Sequence, residues 1–299
     1  RAQVGGMTDV RKDGNRHPFS KGLLATSLAI TGLSLEERYE IVREIDRELE
    51  GVETVHSREI QKRVQRKLQQ RGLEREEKFY RVTRQLSRLE KPLFILLGGP
   101  AGIGKSTLSV ELAHRLDINR IIETDTVREI MRNMVSAELV PSLYQSSFNA
   151  DETVKADLVD DPLIYGFNQQ VDVVSAGVKP VIDRGVEEGV NSIVDGVHVV
   201  PGYLGMSDRD DCHVFQYVLE VPEKAEHARR FQSRANASNR DAGRYLENLE
   251  DIRALQAYIV EEGEKNGATI IANESVDQTI EEIMDDVTTE LGRLVPSHA

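Results

Sequence analysis

The pattern of hydrophobic and polar positions changes near residue 90. Before it, apolar residues recur at helical spacing among many charges, and no stretch reads as a convincing strand. Phe19, Leu23, Leu24, Leu28 and Ile30 trace a first amphipathic segment after a turn at Pro18, interrupted at Gly32. Ser34 and Glu37 have the spacing of a capping box, and Tyr39, Ile41, Val42, Ile45 and Leu49 carry the next helix to about Gly51. Ser57 opens a third helix through Ile60, Val64 and Leu68 to Gly72, and a fourth runs from about Leu73 to Leu89. Residues 7–89 thus read as a small helical module, and Pro92 closes a basic linker. Arg1–Gly6, ahead of Met7, read as a leader or fusion remnant.

From residue 90 to 299 short apolar runs alternate with helical patterns. Leu93–Leu97 is wholly apolar, as a strand buried on both faces must be. Further strands are expected at Arg120–Thr124, Asn191–Asp195, Val214–Val221 and Ala268–Asn273. Helices are expected at Lys105–Leu116, Thr126–Ala137, Asp161–Gly189, Pro222–Arg234, Arg244–Asn266 and Val276–Leu294. Such alternation predicts an α/β fold, a parallel sheet with helices on both faces.

One motif stands out: Gly99-Pro-Ala-Gly102-Ile-Gly104-Lys105-Ser106, an unbroken G-x-x-x-x-G-K-[ST] phosphate loop between a buried strand and a helix. Its glycines let backbone N–H groups surround phosphate oxygens at a helix N-terminus. Lys105 would reach the β/γ-phosphates, Ser106 would ligate Mg²⁺ and Thr107 would bond the α-phosphate. The fold expected is therefore that of a P-loop NTPase, with ATP and Mg²⁺ as cofactors. The spacing is not G-x-G-x-x-G, so a dinucleotide site is a poor reading.

Three further segments add candidates. Asp195 ends an apolar strand, where a P-loop enzyme places either a carboxylate holding Mg²⁺ or one accepting a proton. Gly196 after it would keep the site open, and His198 reads either as a substrate contact or as a plain loop histidine. Asp125 ends the next candidate strand, and it or Thr126 would cap a helix whose Arg128 and Arg132 share a face. There Asp125 would orient an acceptor hydroxyl and the arginines an anionic acceptor; the other reading is an ordinary cap with solvated arginines. Finally, Arg229 to Arg244 holds five arginines and one acid, with Ala235–Gly243 reading as a mobile loop. On a closing lid Arg230 and Arg234 would neutralise charge on a transferring phosphoryl group, with Arg240 and Arg244 toward the substrate; a solvated helix face is the other reading for any one of them.

Composition narrows the partners. The 299 residues carry 38 Lys+Arg against 51 Asp+Glu, a net charge of −13, so broad binding to nucleic acid or an anionic membrane is not expected. A single cysteine, Cys212, excludes an intrachain disulfide framework and a multi-cysteine zinc site. No apolar run is long enough to span a bilayer, and none marks a signal peptide, which makes the expected compartment cytoplasmic. A homo-oligomer stays open.

Together, GGPAGIGKST, VDGVHVVPG, TDTVREIMR and RRFQSRAN…GRYLENLEDIRALQAYIV resemble archaeal-type 2-phosphoglycerate kinase, over about Val10 to Leu291. Val10-Arg-Lys12-Asp13-Gly14…Phe19-Ser20-Lys21 is similar to the ATP-cone module that precedes the kinase domain there. Where Asp195 stands, the family often has Glu. The resemblance implies a nucleoside-monophosphate-kinase-like domain that phosphorylates 2-phosphoglycerate to 2,3-bisphosphoglycerate, a small anionic phosphorylated substrate. Two rivals remain at this point: a kinase of an inositol or inositol phosphate, and a regulatory nucleotide switch. As every chemical group falls after residue 89, a chain starting near Leu89 is expected to fold and keep some activity but to lose any modulation by ATP or ADP.

Overall fold

The computed structural model describes residues 8–12, 14–84, 86, 89–155, 159–237 and 242–294; side chains from Arg234 to Ala242 and at Leu294 are outside that description. Two units divide the chain. One holds the described residues up to Leu89, His114–Leu116 and the chain from Met284; the other holds Glu90–Ala113 and Asp117–Ile283.

The first unit corrects the all-helical reading. β1 (Asp9–Lys12) pairs antiparallel with β2 (Asn15–Pro18) and parallel with β3 (Thr54–His56), in the order β2-β1-β3. These strands have three or four residues and are largely exposed, so no apolar run marks them. Pro18 ends edge strand β2, where a missing N–H costs no ladder bond. The helices are α1 (Lys21–Ser27), α2 (Leu35–Glu48), α3 (Ser57–Gln70) and α4 (Glu74–Thr83). The capping box forms: Ser34 Oγ accepts from Glu37 N at 3.3 Å, and Glu37 Oε2 accepts from Ser34 N at 2.8 Å. Arg63 and Lys67 of α3 and Arg71 at its C-cap pair with Glu40, Glu44 and Glu48 of α2 above the apolar Ile41, Ile45, Val64 and Leu68.

The second unit is the expected parallel sheet. Its strands are β4 (Leu93–Gly98), β5 (Arg120–Glu123), β6 (Ser192–Gly196), β7 (His213–Glu220) and β8 (Thr269–Ala272), in the order β5-β6-β4-β7-β8, every pair parallel. All of β4 and β6 is buried, as a sheet covered on both faces requires. Its helices are α5 (Lys105–Leu116), α6 (Thr124–Met134), α7 (Pro162–Glu187), α8 (Lys224–Ala237), α9 (Ala242–Glu247), α10 (Leu249–Lys265) and α11 (Val276–Leu294). Val127 of α6 and Val174, Val178 and Ile182 of α7 pack against Phe94, Leu96, Ile122 and Val194. Several boundaries differ from expectation, and two of them bear on the site. α6 starts at Thr124, two residues early, and the long helix expected from Arg244 is broken at Asn248 into α9 and α10.

The order of strands places the site. β4 leads to β5 on one side, while β6 leads across β4 to β7 on the other. Crossovers thus leave the neighbours β4 and β6 in opposite directions, opening a crevice at the carboxyl ends of the strands.

Candidate active site

The loop from Gly99 to Gly104 leaves β4 at that crevice, and α5 begins at Lys105. A cleft of about 700 Å³ lies over it, lined by Gly102, Gly104, Lys105, Ser106 and Thr107. Gly99 sits outside the lining, at the loop's root, packed against Ile103 and the Leu219 carbonyl. Lys105 Nζ donates to the Pro100 carbonyl at 2.7 Å, which holds the ammonium over the loop.

Sheet register brings the carboxylates to this loop. Asp195 stands beside Leu97 of β4 on one side and Glu123 of β5 on the other. Asp195 is 3% exposed, and Ser109 of α5 donates its hydroxyl to Oδ2. Burial pushes the Asp195 carboxyl above its ordinary range; the Ser109 bond and the Lys105 charge pull it back, while Glu123 and Asp125 add to the rise. Glu123, which the sequence did not single out as a candidate, lines the cleft because β5 ends level with β6. Asp125 also lines it, but from the first turn of α6 and not from a strand end. The position before that helix belongs to Glu123, so neither Asp125 nor Thr126 is the cap.

His198 is a correction. Its side chain is fully buried, outside the lining of the cleft, so it does not present itself to a substrate. Nδ1 lies 3.3 Å from Thr124 Oγ1 and 4.0 Å from Asp125 Oδ1; Nε2 lies 3.4 Å from Gln170 Oε1. Burial pushes its pKa down to about 3, so at neutral pH it is an uncharged ring set behind Asp125. Gly196 has a related purpose. A Cβ there would fall 1.7 Å from Thr124 Oγ1, so the glycine admits the start of α6 and does more than keep space for substrate.

The arginines separate into different environments. Arg230 lines the cleft, yet its guanidinium is committed: Nε bonds Glu226 at 2.9 Å, Nη1 the Ile103 carbonyl at 3.4 Å, and Nη2 the carbonyls of Asn273 and Glu274 at 2.5 and 3.1 Å. That is a brace between loops, where a free lid cation was expected. Arg244 donates to Ser146 Oγ at 2.6 Å and lies over Phe148, outside the lining. Arg132 pairs with Glu129 at 2.8 Å and stacks on Tyr144. Arg128 differs from it: its side chain is 15% exposed, Nε is buried with no hydrogen-bond partner, and Glu129 stands 3.9 Å away. Arg240 and the side chain of Arg234 lie outside the described residues; the helix that carries Arg234 runs on to Ala237.

Besides Glu123, three further residues were missed in the sequence. Asn273 and Tyr245 line the cleft, and buried His227 bonds the Ala101 carbonyl at 2.8 Å. No local spacing marks them, because their partners lie over 120 residues away in the chain or across a helix break.

A phosphate loop on a parallel sheet, opening on a carboxylate-walled cleft, defines a phosphotransferase of the P-loop class. A family model described as an AAA domain matches residues 95–254, just over half of the chain. The protein is 41% identical to a 2-phosphoglycerate kinase of Thermococcus kodakarensis, over 92% of this chain and 94% of that one. It is 37% identical to the enzyme of that name from Pyrococcus furiosus, over 93% and 92%, and 35% to that from Methanopyrus kandleri, over 92% and 85%. The chain belongs to the 2-phosphoglycerate kinase family.

Proposed function

We propose that the protein transfers the terminal phosphoryl group of ATP to the free hydroxyl of 2-phosphoglycerate, releasing ADP and 2,3-bisphosphoglycerate. The observation that carries this reading is the shared cleft, lined by Lys105 and the loop together with Asp125 and Asp195, in a chain of this family. Loop N–H groups and Lys105 hold and neutralise the phosphates. Asp125, 75% exposed, faces the cleft as the acceptor of the hydroxyl proton. Arg128, half-buried on the same helix with Glu129 3.9 Å away and its Nε without a hydrogen-bond partner, suits the phosphate or carboxylate of the acceptor.

Among the described residues no three His, Cys, Asp or Glu side chains gather as a metal cage. The Ser106 hydroxyl and the Asp195 carboxylate both face the cleft, with Glu123 and Asp125 also in its lining. That donor set fits Mg²⁺ arriving with the nucleotide and keeping phosphate and water ligands. When bound, the ion supplies charge neutralisation to the β- and γ-phosphates.

The unit before residue 90 suits a second anion. Arg16, Arg11 and His56 occupy one rung of its sheet, all exposed. Like charges placed opposite one another are unfavourable without a counter-ion, which supports the ATP-cone reading and a regulatory nucleotide there. Among the described residues no helix is long and apolar enough to cross a membrane.

A coupled assay of ADP release tests the main reading, with 2-phosphoglycerate, 3-phosphoglycerate, glycerate and inositol phosphates as acceptors. Release that requires 2-phosphoglycerate is expected. Release that ignores every acceptor would make the protein a nucleotide switch, and release driven by an inositol phosphate would replace the substrate.

A further inference from the structure

Peptides of the phosphate loop are gripped from outside by side chains. His227 Nε2 lies 2.8 Å from the Ala101 carbonyl oxygen. The Ile103 carbonyl accepts from Asn273 Nδ2 at 2.5 Å and from Arg230 Nη1 at 3.4 Å. In a planar trans peptide the C=O and N–H point in opposite directions. A carbonyl tied on one side therefore turns the next residue's N–H to the other. The N–H groups concerned are those of Gly102 and Gly104, both residues of the cleft wall. An anion cradle is built from such inward N–H groups, and it works best when they need no rearrangement to receive charge.

Both donors are themselves fixed. Asn273 is 1% exposed; its Oδ1 accepts from Thr279 Oγ1 at 3.0 Å and its backbone N–H donates to Glu220 at 2.8 Å. The amide nitrogen is thereby aimed at Ile103. His227 is fully buried and stacks on Phe231, with ring centroids 5.1 Å apart and planes 16° apart. Phe231 in turn stacks on Tyr245, at 4.9 Å and 10°, and Tyr245 forms part of the cleft wall. His227 Nδ1 is buried without a partner, and burial keeps the ring neutral, so its one proton belongs on Nε2, facing Ala101. Gly102 rests on the same column. At φ +83° a Cβ would fall 2.5 Å from the Phe231 ring, so the loop is seated with no room to spare.

We propose that His227 and Asn273, both outside the glycine-rich segment, are positioning residues of the phosphate loop: they hold two carbonyls outward so that the Gly102 and Gly104 N–H groups face the nucleotide phosphates. This rests on the nucleotide-binding reading above. It assigns to α8 and to the β8–α11 connection a share in phosphate recognition that no motif spells out.

The test is calorimetric titration of the full chain with ADP, and with tripolyphosphate, which has phosphates but no base. Thermal melting without ligand is recorded alongside. His227→Phe keeps a ring on Phe231 but loses the donor; it should weaken both ligands about tenfold, the scale of one lost hydrogen bond. His227→Gln places an N–H at similar reach and should recover most of that loss. Asn273→Asp sets an oxygen against the Ile103 carbonyl and should weaken both ligands at least as much as His227→Phe. The proposal is overturned if His227→Phe and Asn273→Asp bind both ligands as the unaltered protein does, whatever their melting temperatures. It is equally overturned if His227→Gln binds as weakly as His227→Phe. Should His227→Phe fail to fold, His227→Gln and Asn273→Asp decide by comparison with the unaltered protein. An unaltered protein that binds neither ligand would overturn the nucleotide reading itself, and this inference with it.

Discussion

Lys105 and His198 are both readily picked out of the sequence, and the structure treats them oppositely. Lys105 keeps its expected place, with its ammonium held over the loop by the Pro100 carbonyl. Lys105→Ala should lower kcat by roughly 10²–10³-fold, the scale of losing one charge-stabilising donor, with an unchanged melting temperature. Full turnover in the folded variant would remove the phosphate loop from the chemistry. His198 becomes instead a determinant of stability against acid. Its folded pKa of about 3 lies below the ordinary 6.5, so between those values the unfolded chain binds the extra proton. Stability is therefore complete above about pH 6.5 and falls as pH drops toward 3, at up to about 1.4 kcal/mol per unit. Asp195 acts with the other sign, since its raised pKa makes the native state the better proton acceptor just above 3.8. Urea midpoints at pH 7.0, 5.5 and 4.5 should fall with pH in the unaltered protein and fall less in His198→Gln. Parallel curves would show that His198 titrates alike in both states.

At the scale of elements, α8 is the part whose role changed. The sequence shows a run of arginines and suggests a lid acting on the transferred group. The structure ties Arg230 of α8 to Ile103 in the phosphate loop and to Asn273 and Glu274 after β8. A brace shapes the cleft before any reaction occurs. Arg230→Ala should therefore raise the KM for ATP several-fold with a smaller fall in kcat, the pattern of lost ground-state binding. Arg230→Lys should rescue little, because a single ammonium cannot replace a planar fork spanning three carbonyls. A fall in kcat alone would return Arg230 to the transferring phosphoryl group. The short strands β1 to β3 were illegible for a different reason. Exposed positions such as Arg11, Lys12 and Arg16 carry no apolar alternation, and β3 pairs with β1 from more than forty residues away. Strands β4 to β8 were legible because each carries adjacent apolar residues, continuous through β4, which is buried throughout.

For the whole molecule, a boundary at residue 90 is incomplete. α11 begins in the second unit, but from Met284 it belongs to the first. There Asp285 pairs with Arg75 at 2.5 Å, Thr289 accepts from Lys78 at 2.8 Å, and a Cβ at Gly292 would stand 3.9 Å from Val82 of α4. Met284, Val287 and Leu291 are fully buried along the same stretch. Deleting residues before 90 removes α4 from this face, at roughly 1.5–3 kcal/mol for each apolar side chain uncovered. Such a loss rivals the 5–15 kcal/mol by which domains are stable. Residues 90–299 alone should melt well below the full chain and lose activity with it; a melting temperature equal to that of the full chain would show that α4 adds no stability. What the sequence determined by itself was everything carried by neighbours along the chain. Examples are the phosphate loop between Leu97 and Lys105, the capping box of Ser34 and Glu37, and the five strands of the parallel sheet. Helical and strand periodicity and glycine spacing are local properties, so they survive as text. Only the tertiary structure decided that Glu123 stands level with Asp195, that Arg230 braces the loop, and that His227 and Asn273 grip it. Those partnerships join residues 70 to 170 positions apart, and which side chains meet across such a distance is settled by packing the sheet and its helices together.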